Sequence, residues 1–246
     1  MTDSLNAVHV SNGRIEIEGV DLKGPSAVDS DGGLREEKVV QAAVIPPHQT
    51  VLVVIDPQRA FVDPAGSLWR THGVEELRPC LEALDRLRAF VAAREHPGLT
   101  IWVRSEYVPG QFTGGDLSDG MAQVCVPGAN VDCEWASGVA ESMSPHDLVV
   151  TKRHDDAWRS AEFRSAIEDA VRGGVTRIAV VGFQFTTCVV ASALSTQRAV
   201  RDRGVRVAVI EALTGSRASS HLPGASGLSR MEATRRQLTA AGVEII

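Results

Sequence analysis

Lysine is scarce in this chain. Against 22 arginines there are only Lys23, Lys38 and Lys152, so beyond residue 38 a single ammonium serves the whole sequence. Cysteine is nearly as rare: Cys80, Cys125, Cys133 and Cys188 stand apart, with no C-x-x-C pair. That spacing excludes a disulfide framework and a zinc ribbon and suits a reducing compartment, although Cys125 and Cys133 are close enough in sequence to meet within a loop. Positive charge is not in excess, since 25 basic residues face 31 acidic ones for a net charge of -6 and a pI near 5.7. With no Lys/Arg cluster standing out, neither nucleic acid nor an anionic membrane surface is an expected partner. No apolar run approaches the ~20 residues needed to span a bilayer. The opening Met1-Thr2-Asp3-Ser4-Leu5-Asn6 lacks a charged-then-apolar signal pattern, and a cytoplasmic location is expected.

What is present is an ordinary α/β composition: 246 residues, 43% hydrophobic and 23% charged, enough for one sizeable core. Residues 1–45 read as an N-terminal extension, with a short hairpin about Asn12-Gly13 and a breaker-rich stretch from Gly24-Pro25 to Gly32-Gly33 that wraps the core or a neighbouring subunit. Pro46-Pro47 opens the domain proper, residues 46–246. Val51 to Ile55 is a continuous β-branched run, as expected of a strand buried on both faces in a parallel sheet. A helix follows from about 74 to 94, carrying Leu77, Leu81, Leu84, Leu87, Phe90 and Val91 on one face. Strands are expected at 99–104, 147–151, 177–181, 205–210 and 243–246, and helices at 160–173, 187–203 and 228–241. Strands alternating with helices predict a doubly wound, mostly parallel six-stranded sheet with helices on both faces. Between the second and third strands, residues 105–145 are rich in Gly, Pro and Asp and read as an active-site loop region.

Three ionisable residues end up in equivalent places. Asp56, Lys152 and Cys188 each lie at or just past the C-terminal end of a strand, and parallel strands bring those ends to one edge of the sheet. Chemistry in open α/β sheets collects there. Cys188 stands where a strand hands over to a helix, and the positive end of a helix dipole favours thiolate, so a thiol pKa below the ordinary ~8.5 is expected. A cysteine is more often a small buried apolar residue, but its position argues for reactivity. The use of the one remaining lysine here, in a chain that otherwise chooses arginine, points to a site that needs a compact ammonium.

At these residues the chain resembles the isochorismatase-like cysteine hydrolases. Val53-Val54-Ile55-Asp56-Pro57-Gln58-Arg59-Ala60-Phe61 is similar to the family's hydrophobic-Asp-x-Gln-x-x-Phe strand end, Thr151-Lys152-Arg153 with Ala157-Trp158 to its Lys-x(4–5)-Ala-Phe segment, and Gly182 to Val189 to its Gly-x-x-Thr-x-x-Cys-Val turn. The likeness runs from about Thr50 to the C-terminus. It implies a catalytic triad of Asp56, Lys152 and Cys188, and a cis peptide between Phe183 and Gln184 that aims the amides of Gln184 and Cys188 into an oxyanion hole. Isochorismatases proper lack the nucleophilic cysteine, so Cys188 implies the amidase branch and a small amide, ureido or carbamoyl substrate.

Two departures matter. Phe185 stands where the family usually has Thr or Ser, removing a hydroxyl from the turn. The nicotinamidases of the family hold a metal with Asp-x-His and a further His near the second strand, whereas this chain has Arg104-Ser105-Glu106-Tyr107 there, so no metal and no cofactor are expected. Phe61, Trp158, Trp135, Tyr107 and Phe183 are the expected substrate-binding walls, excluding water and stacking on a flat substrate. His154-Asp155-Asp156 are adjacent rather than helically spaced and are not read as a metal site, and His221 reads as a solvated loop residue. The expected function is hydrolysis of a C-N bond through a Cys188 thioester, by a homo-oligomer (dimer or tetramer) acting on a small molecule. The alternative is a catalytically inactive relative serving as a binding or scaffold protein in a biosynthetic complex.

Overall fold

The computed structural model describes residues 8–11, 14–17, 49–93, 98–111 and 120–246. The chain divides into two units, Met1–Pro46 and Pro47–Ile246. In the first, strands β1 (Val8–Ser11) and β2 (Arg14–Ile17) pair antiparallel, with Ser11 opposite Arg14. They flank Asn12-Gly13 as a tight hairpin requires. That turn pair, and the wrapping role read for the rest of the extension, lie outside the described residues.

The second unit is built on six strands: β3 (Thr50–Ile55), β4 (Thr100–Ser105), β5 (Leu148–Lys152), β6 (Arg177–Phe183), β7 (Arg206–Gly215) and β8 (Glu244–Ile245). Their order is β5-β4-β3-β6-β7-β8, and every pairing is parallel, so the sheet is wholly parallel. All six residues of β3 and all seven of β6 are buried, which is why each reads as an apolar run once past its first residue, Thr50 or Arg177. Alternate residues face opposite ways along a strand. Val51, Val53, Ile55, Ile178, Val180, Val207 and Val209 meet Phe163, Ile167, Ala193 and Leu238 of helices α4 (Ala161–Arg172), α5 (Val190–Val200) and α6 (Arg230–Ala240). The other face is covered by α3 (Val74–Ala92), which packs along β7.

Several boundaries differ from the sequence expectation. Two short helices, α1 (Arg59–Val62) and α2 (Ser67–His72), precede α3; neither is long enough to show an apolar period. Strand β7 runs on to Gly215, because its pairing with β6 slips between Val180 and Gly182, moving the partner from Val209 to Thr214. The slack is taken up locally, with Thr214 Oγ1 donating to the Ile210 carbonyl at 2.8 Å.

The strand order reverses direction between β3 and β6: from β3 the chain moves outward through β4 and β5, and from β6 through β7 and β8. In such sheets the switch point, beyond the strand ends, is the usual ligand position. Asp56 directly follows β3, and a π-helical turn, Phe185–Val189, follows β6 before α5 begins. Gly182 lets the two strands close up here: its φ is +110°, and a Cβ on it would lie 2.1 Å from the Ile55 carbonyl oxygen.

Candidate active site

Asp56, Lys152 and Cys188 come together in one buried cluster. Lys152 Nζ lies 2.9 Å from Asp56 Oδ2 and 3.5 Å from Cys188 Sγ, and the side chains of Lys152 and Asp56 are fully buried. Each is delivered by its strand end. Asp56 takes a φ of 50°, a left-handed conformation that Asp tolerates better than most residues, while its amide stays bonded to the Val103 carbonyl at 2.8 Å. Lys152 is the last residue of β5 and stands opposite Ser105, the last of β4. Its ammonium donates to Ser105 Oγ at 2.7 Å, Tyr107 Oη at 3.0 Å and the His154 carbonyl at 3.0 Å.

A second layer holds this cluster. Gln58, wholly buried, accepts from the Ser105 amide through Oε1 at 2.6 Å and donates through Nε2 to the Ser105 and Cys133 carbonyls at 3.1 and 3.3 Å. The side-chain amide therefore acts as a strand extension that ties the turn after β3 to the end of β4. Ser105 Oγ contacts Asp56 Oδ1 at 2.9 Å and Tyr107 Oη at 2.6 Å, and Tyr107 Oη is 3.9 Å from Cys188 Sγ. The long loop is itself pinned: buried Asp132 accepts from the Ser67 and Cys125 amides at 2.9 and 3.2 Å, and the Cys125 carbonyl takes the Tyr107 amide at 2.8 Å.

The electrostatics correct one sequence expectation. Burial pushes the Cys188 thiol up to about 11, with the Lys152 charge pulling the other way, so at neutral pH the resting sulfur is a thiol. The dipole argument loses because Cys188 is only 6% exposed and sits within the π turn, short of α5 itself. Burial opposes the Lys152 charge, but the Asp56 carboxylate beside it raises its pKa well above the ordinary value, and it is held as an ammonium. Burial likewise raises Tyr107, which stays a phenol.

The Phe183–Gln184 peptide is cis, and the Gln184 carbonyl accepts from the Thr187 and Val189 amides at 3.1 Å each, with the Cys188 amide between them in neither bond. The Gln184 side chain turns away, its Nε2 3.4 Å from Cys80 Sγ on α3. Phe185 is fully buried in the core with Cys188 and Val189, so the ring that replaces a hydroxyl packs the floor of the turn.

The expected aromatic walls fall into three groups. Tyr107 reaches the cluster through its hydroxyl, as a polar member rather than a stacking surface. Trp135 pairs with Gln58 in an isolated bridge beside the Asp56 turn, Trp158 lies half-buried edge-to-face on Phe163 at 6.1 Å within the core that includes Cys188, and Phe61 is buried in α1. Phe183 departs from expectation: wholly buried, it alternates with Gly182 onto the α3 side of the sheet, where its ring lies against Gly215. His221 is exposed, and Asp156 caps the Trp158 amide at 2.9 Å while accepting from Ser195 Oγ at 2.7 Å. At the end of β4, Arg104 pairs with Glu106 at 2.5 Å, and among the described residues no three His, Cys, Asp or Glu side chains are grouped to hold a metal. The donor set does not fit the metal of the family's nicotinamidases. Sequence reading missed the parts of Ser105 and Gln58; the only signal for Ser105 was its place at the end of β4.

A wholly parallel, doubly wound sheet with a thiol, an ammonium and a carboxylate buried at its switch point defines an α/β protein whose polar centre lies where such folds bind ligands. The family follows from comparison: the sequence model described as the Isochorismatase domain matches residues 50–241, and the chain belongs to that family. Curated proteins give no match. Among solved structures the fold is similar to PnC1 from L. infantum in complex with nicotinate, at 19% identity and TM-score 0.60 over 82% of this chain and 94% of that one. It is also similar to pyrazinamidase of Pyrococcus horikoshii in complex with zinc (16% identity, TM-score 0.60, 80% and 98% covered). N-carbamoylsarcosine amidase from Thermoplasma acidophilum matches at 13% identity and TM-score 0.52, over 80% and 95%. At such identities the likeness is one of fold. Among the described residues no helix is long and apolar enough to cross a membrane.

Proposed function

We infer that the chain is a cysteine hydrolase that cleaves the C-N bond of a small amide, ureido or carbamoyl substrate through a thioester on Cys188. The observation that carries this reading is the buried cluster itself, with Lys152 Nζ 2.9 Å from Asp56 Oδ2 and 3.5 Å from Cys188 Sγ. A charged pair this deep is costly to bury and is weak support for stability alone, so chemistry is the better reason for it. The amidases among the structural neighbours support the bond type.

In the proposed reaction Asp56 takes the thiol proton and the sulfur attacks the substrate carbonyl carbon, while the carbonyl π pair moves onto oxygen. Lys152 steadies both the carboxylate and the forming thiolate. The amides of Gln184 and Cys188 receive the oxyanion, and such donors contribute ~3–4 kcal/mol each in comparable hydrolases. The tetrahedral species collapses with loss of the amine, which takes its proton from Asp56. Water then attacks the thioester, with Asp56 again accepting a proton, and the acid leaves Cys188 as a thiol. A resting thiol near 11 fits this scheme, because a protonated sulfur needs the base that stands beside it. Phe61, Trp135 and Trp158 are the proposed walls, residues 46–246 the hydrolase domain, and a cytoplasmic homo-oligomer the proposed form.

Ammonia or amine release over a panel of amides, ureas and carbamoyl amino acids tests the reading. Turnover that disappears in Cys188→Ala while the melting curve is unchanged supports it. Turnover surviving in that variant overturns it.

A further inference from the structure

Ser105 Oγ has more partners than one hydrogen can serve. A serine hydroxyl donates one hydrogen and accepts two. Asp56 Oδ1 at 2.9 Å and Tyr107 Oη at 2.6 Å therefore cannot both receive it at once. Lys152, which has only hydrogens to give, donates to Ser105 Oγ at 2.7 Å and to Tyr107 Oη at 3.0 Å, filling one acceptor position on each hydroxyl. Two arrangements then satisfy these contacts. In one, Ser105 donates to ionised Asp56, Tyr107 donates to Ser105, and the Cys188 thiol points its hydrogen at Tyr107, 3.9 Å away. In the other, Asp56 is protonated and donates to Ser105, Ser105 donates to Tyr107, and Tyr107 donates to the Cys188 thiolate. No heavy atom moves between them.

We propose that Tyr107 and Ser105 form a hydroxyl relay that carries the Cys188 proton to Asp56 and returns it. The proposal rests on the reading of Cys188 as nucleophile and Asp56 as base. Three hydrogens shift together: the S-H hydrogen to Tyr107 Oη, the Tyr107 hydrogen to Ser105 Oγ, and the Ser105 hydrogen to Asp56 Oδ1. Both hydroxyls end neutral, the sulfur holds the electron pair of its former S-H bond, and Asp56 holds the proton. Lys152 stays charged throughout, 3.5 Å from the new thiolate. The relay gives a purpose to the chain's one tyrosine, buried at 5% exposure with its amide anchored on Cys125 and its hydroxyl turned to the lysine rather than to solvent. Direct transfer is the competing route, since the Asp56 carboxylate lies close enough to act on the thiol, raising its pKa. The two routes differ in how many hydrogens are in flight.

The test is acylation of the full-length protein by 4-nitrophenyl acetate under single-turnover conditions, in mixtures of H2O and D2O. The relay predicts a bowed dependence of rate on deuterium fraction for the wild type, a measurement that needs no variant to fold. Tyr107→Phe and Ser105→Ala should each acylate more slowly by a factor on the order of 10², with a straight dependence. A straight line for the wild type, or both variants within about threefold of it while Asp56→Asn is slow, overturns the relay and leaves direct transfer to Asp56. Undiminished acylation in Asp56→Asn, or none at Cys188 in the wild type, instead removes the reading beneath it.

Discussion

Ser105 and Lys152 stand opposite each other at the ends of β4 and β5, and the lysine ammonium donates to the serine hydroxyl across 2.7 Å. The register of an edge strand thus sets where the Lys152 cation lies. A slip of one residue along β5 would turn the side chain to the other face of the sheet. Gln58, bonded to both the amide and the carbonyl of Ser105, fixes the neighbouring strand in turn.

Lys152→Arg should keep the charge and lose most of the activity. The ammonium fits among five acceptors within 3.5 Å, namely Asp56, Ser105, Tyr107, His154 and Cys188, whereas a planar guanidinium is wider and adds donors with no partner in a closed site. The expected loss in kcat/KM is on the order of 10²–10⁴. A variant within a fewfold of wild type would take Lys152 out of the mechanism.

The thiol's position predicts the order and pH dependence of alkylation. Iodoacetamide should label Cys188 first, because Cys80 and Cys125 are more strongly held as thiols by burial, and Cys133, pushed up to about 11 by burial, Glu106 and Asp132 against the pull of Arg104, lacks the ammonium that lies 3.5 Å from Cys188 Sγ. Its rate should keep climbing, about tenfold per pH unit, from pH 7 toward the Cys188 value of about 11. A plateau near neutrality in a peptide-mapped time course would contradict this.

Stability should fall in alkali. Unfolded thiols titrate near 9, while burial pushes Cys80 up to about 12 and Cys188 up to about 11. Between those values the native state holds more protons than the unfolded one, so stability is full below pH 9 and declines above it. Each retained proton contributes a slope of about 1.4 kcal/mol per pH unit. Urea unfolding at pH 8, 9 and 10 should show the decline, with a shallower slope in Cys80→Ala; parallel slopes would contradict it.

Gly182→Ala should be among the most damaging single changes in the core. Its Cβ would meet backbone, not a yielding side chain, at 2.1 Å, and φ of +110° is strained for any L side chain. A loss on the order of 3 kcal/mol or more is expected from urea unfolding. A near-neutral result would mean that β3 and β6 separate easily at the switch point.

Turnover should survive exhaustive dialysis against EDTA, given that the end of β4 offers an Arg104–Glu106 pair and no histidine. Loss restored by zinc or manganese would overturn this.

Much of this was readable in the sequence, and for physical reasons. Strands β3 and β6 are buried on both faces, so each reads as an apolar run once past its first residue, and Asp56, Lys152 and Cys188 mark the points where chemistry-bearing residues interrupt strand ends. What stayed hidden depends on pairing between distant residues. Ser105 looks like any serine until β4 and β5 are placed in register, and it lies 47 residues from Lys152. Local rules also misled at Cys188: a helix start lowers a thiol pKa, but the depth of the site, which no local pattern reveals, raises it further. Phe183 faces α3 because a strand alternates right up to its last residue, just before the turn that carries Cys188.

Mapping the acyl group shows whether a thioester forms on Cys188. The full-length protein, acid-quenched during its burst with 4-nitrophenyl acetate, should carry an acetyl group on the peptide containing Cys188. Neutral hydroxylamine should remove that group, and Cys188→Ala should lack it. Nitrophenol release that continues with Cys188 unmodified would rule out the thioester.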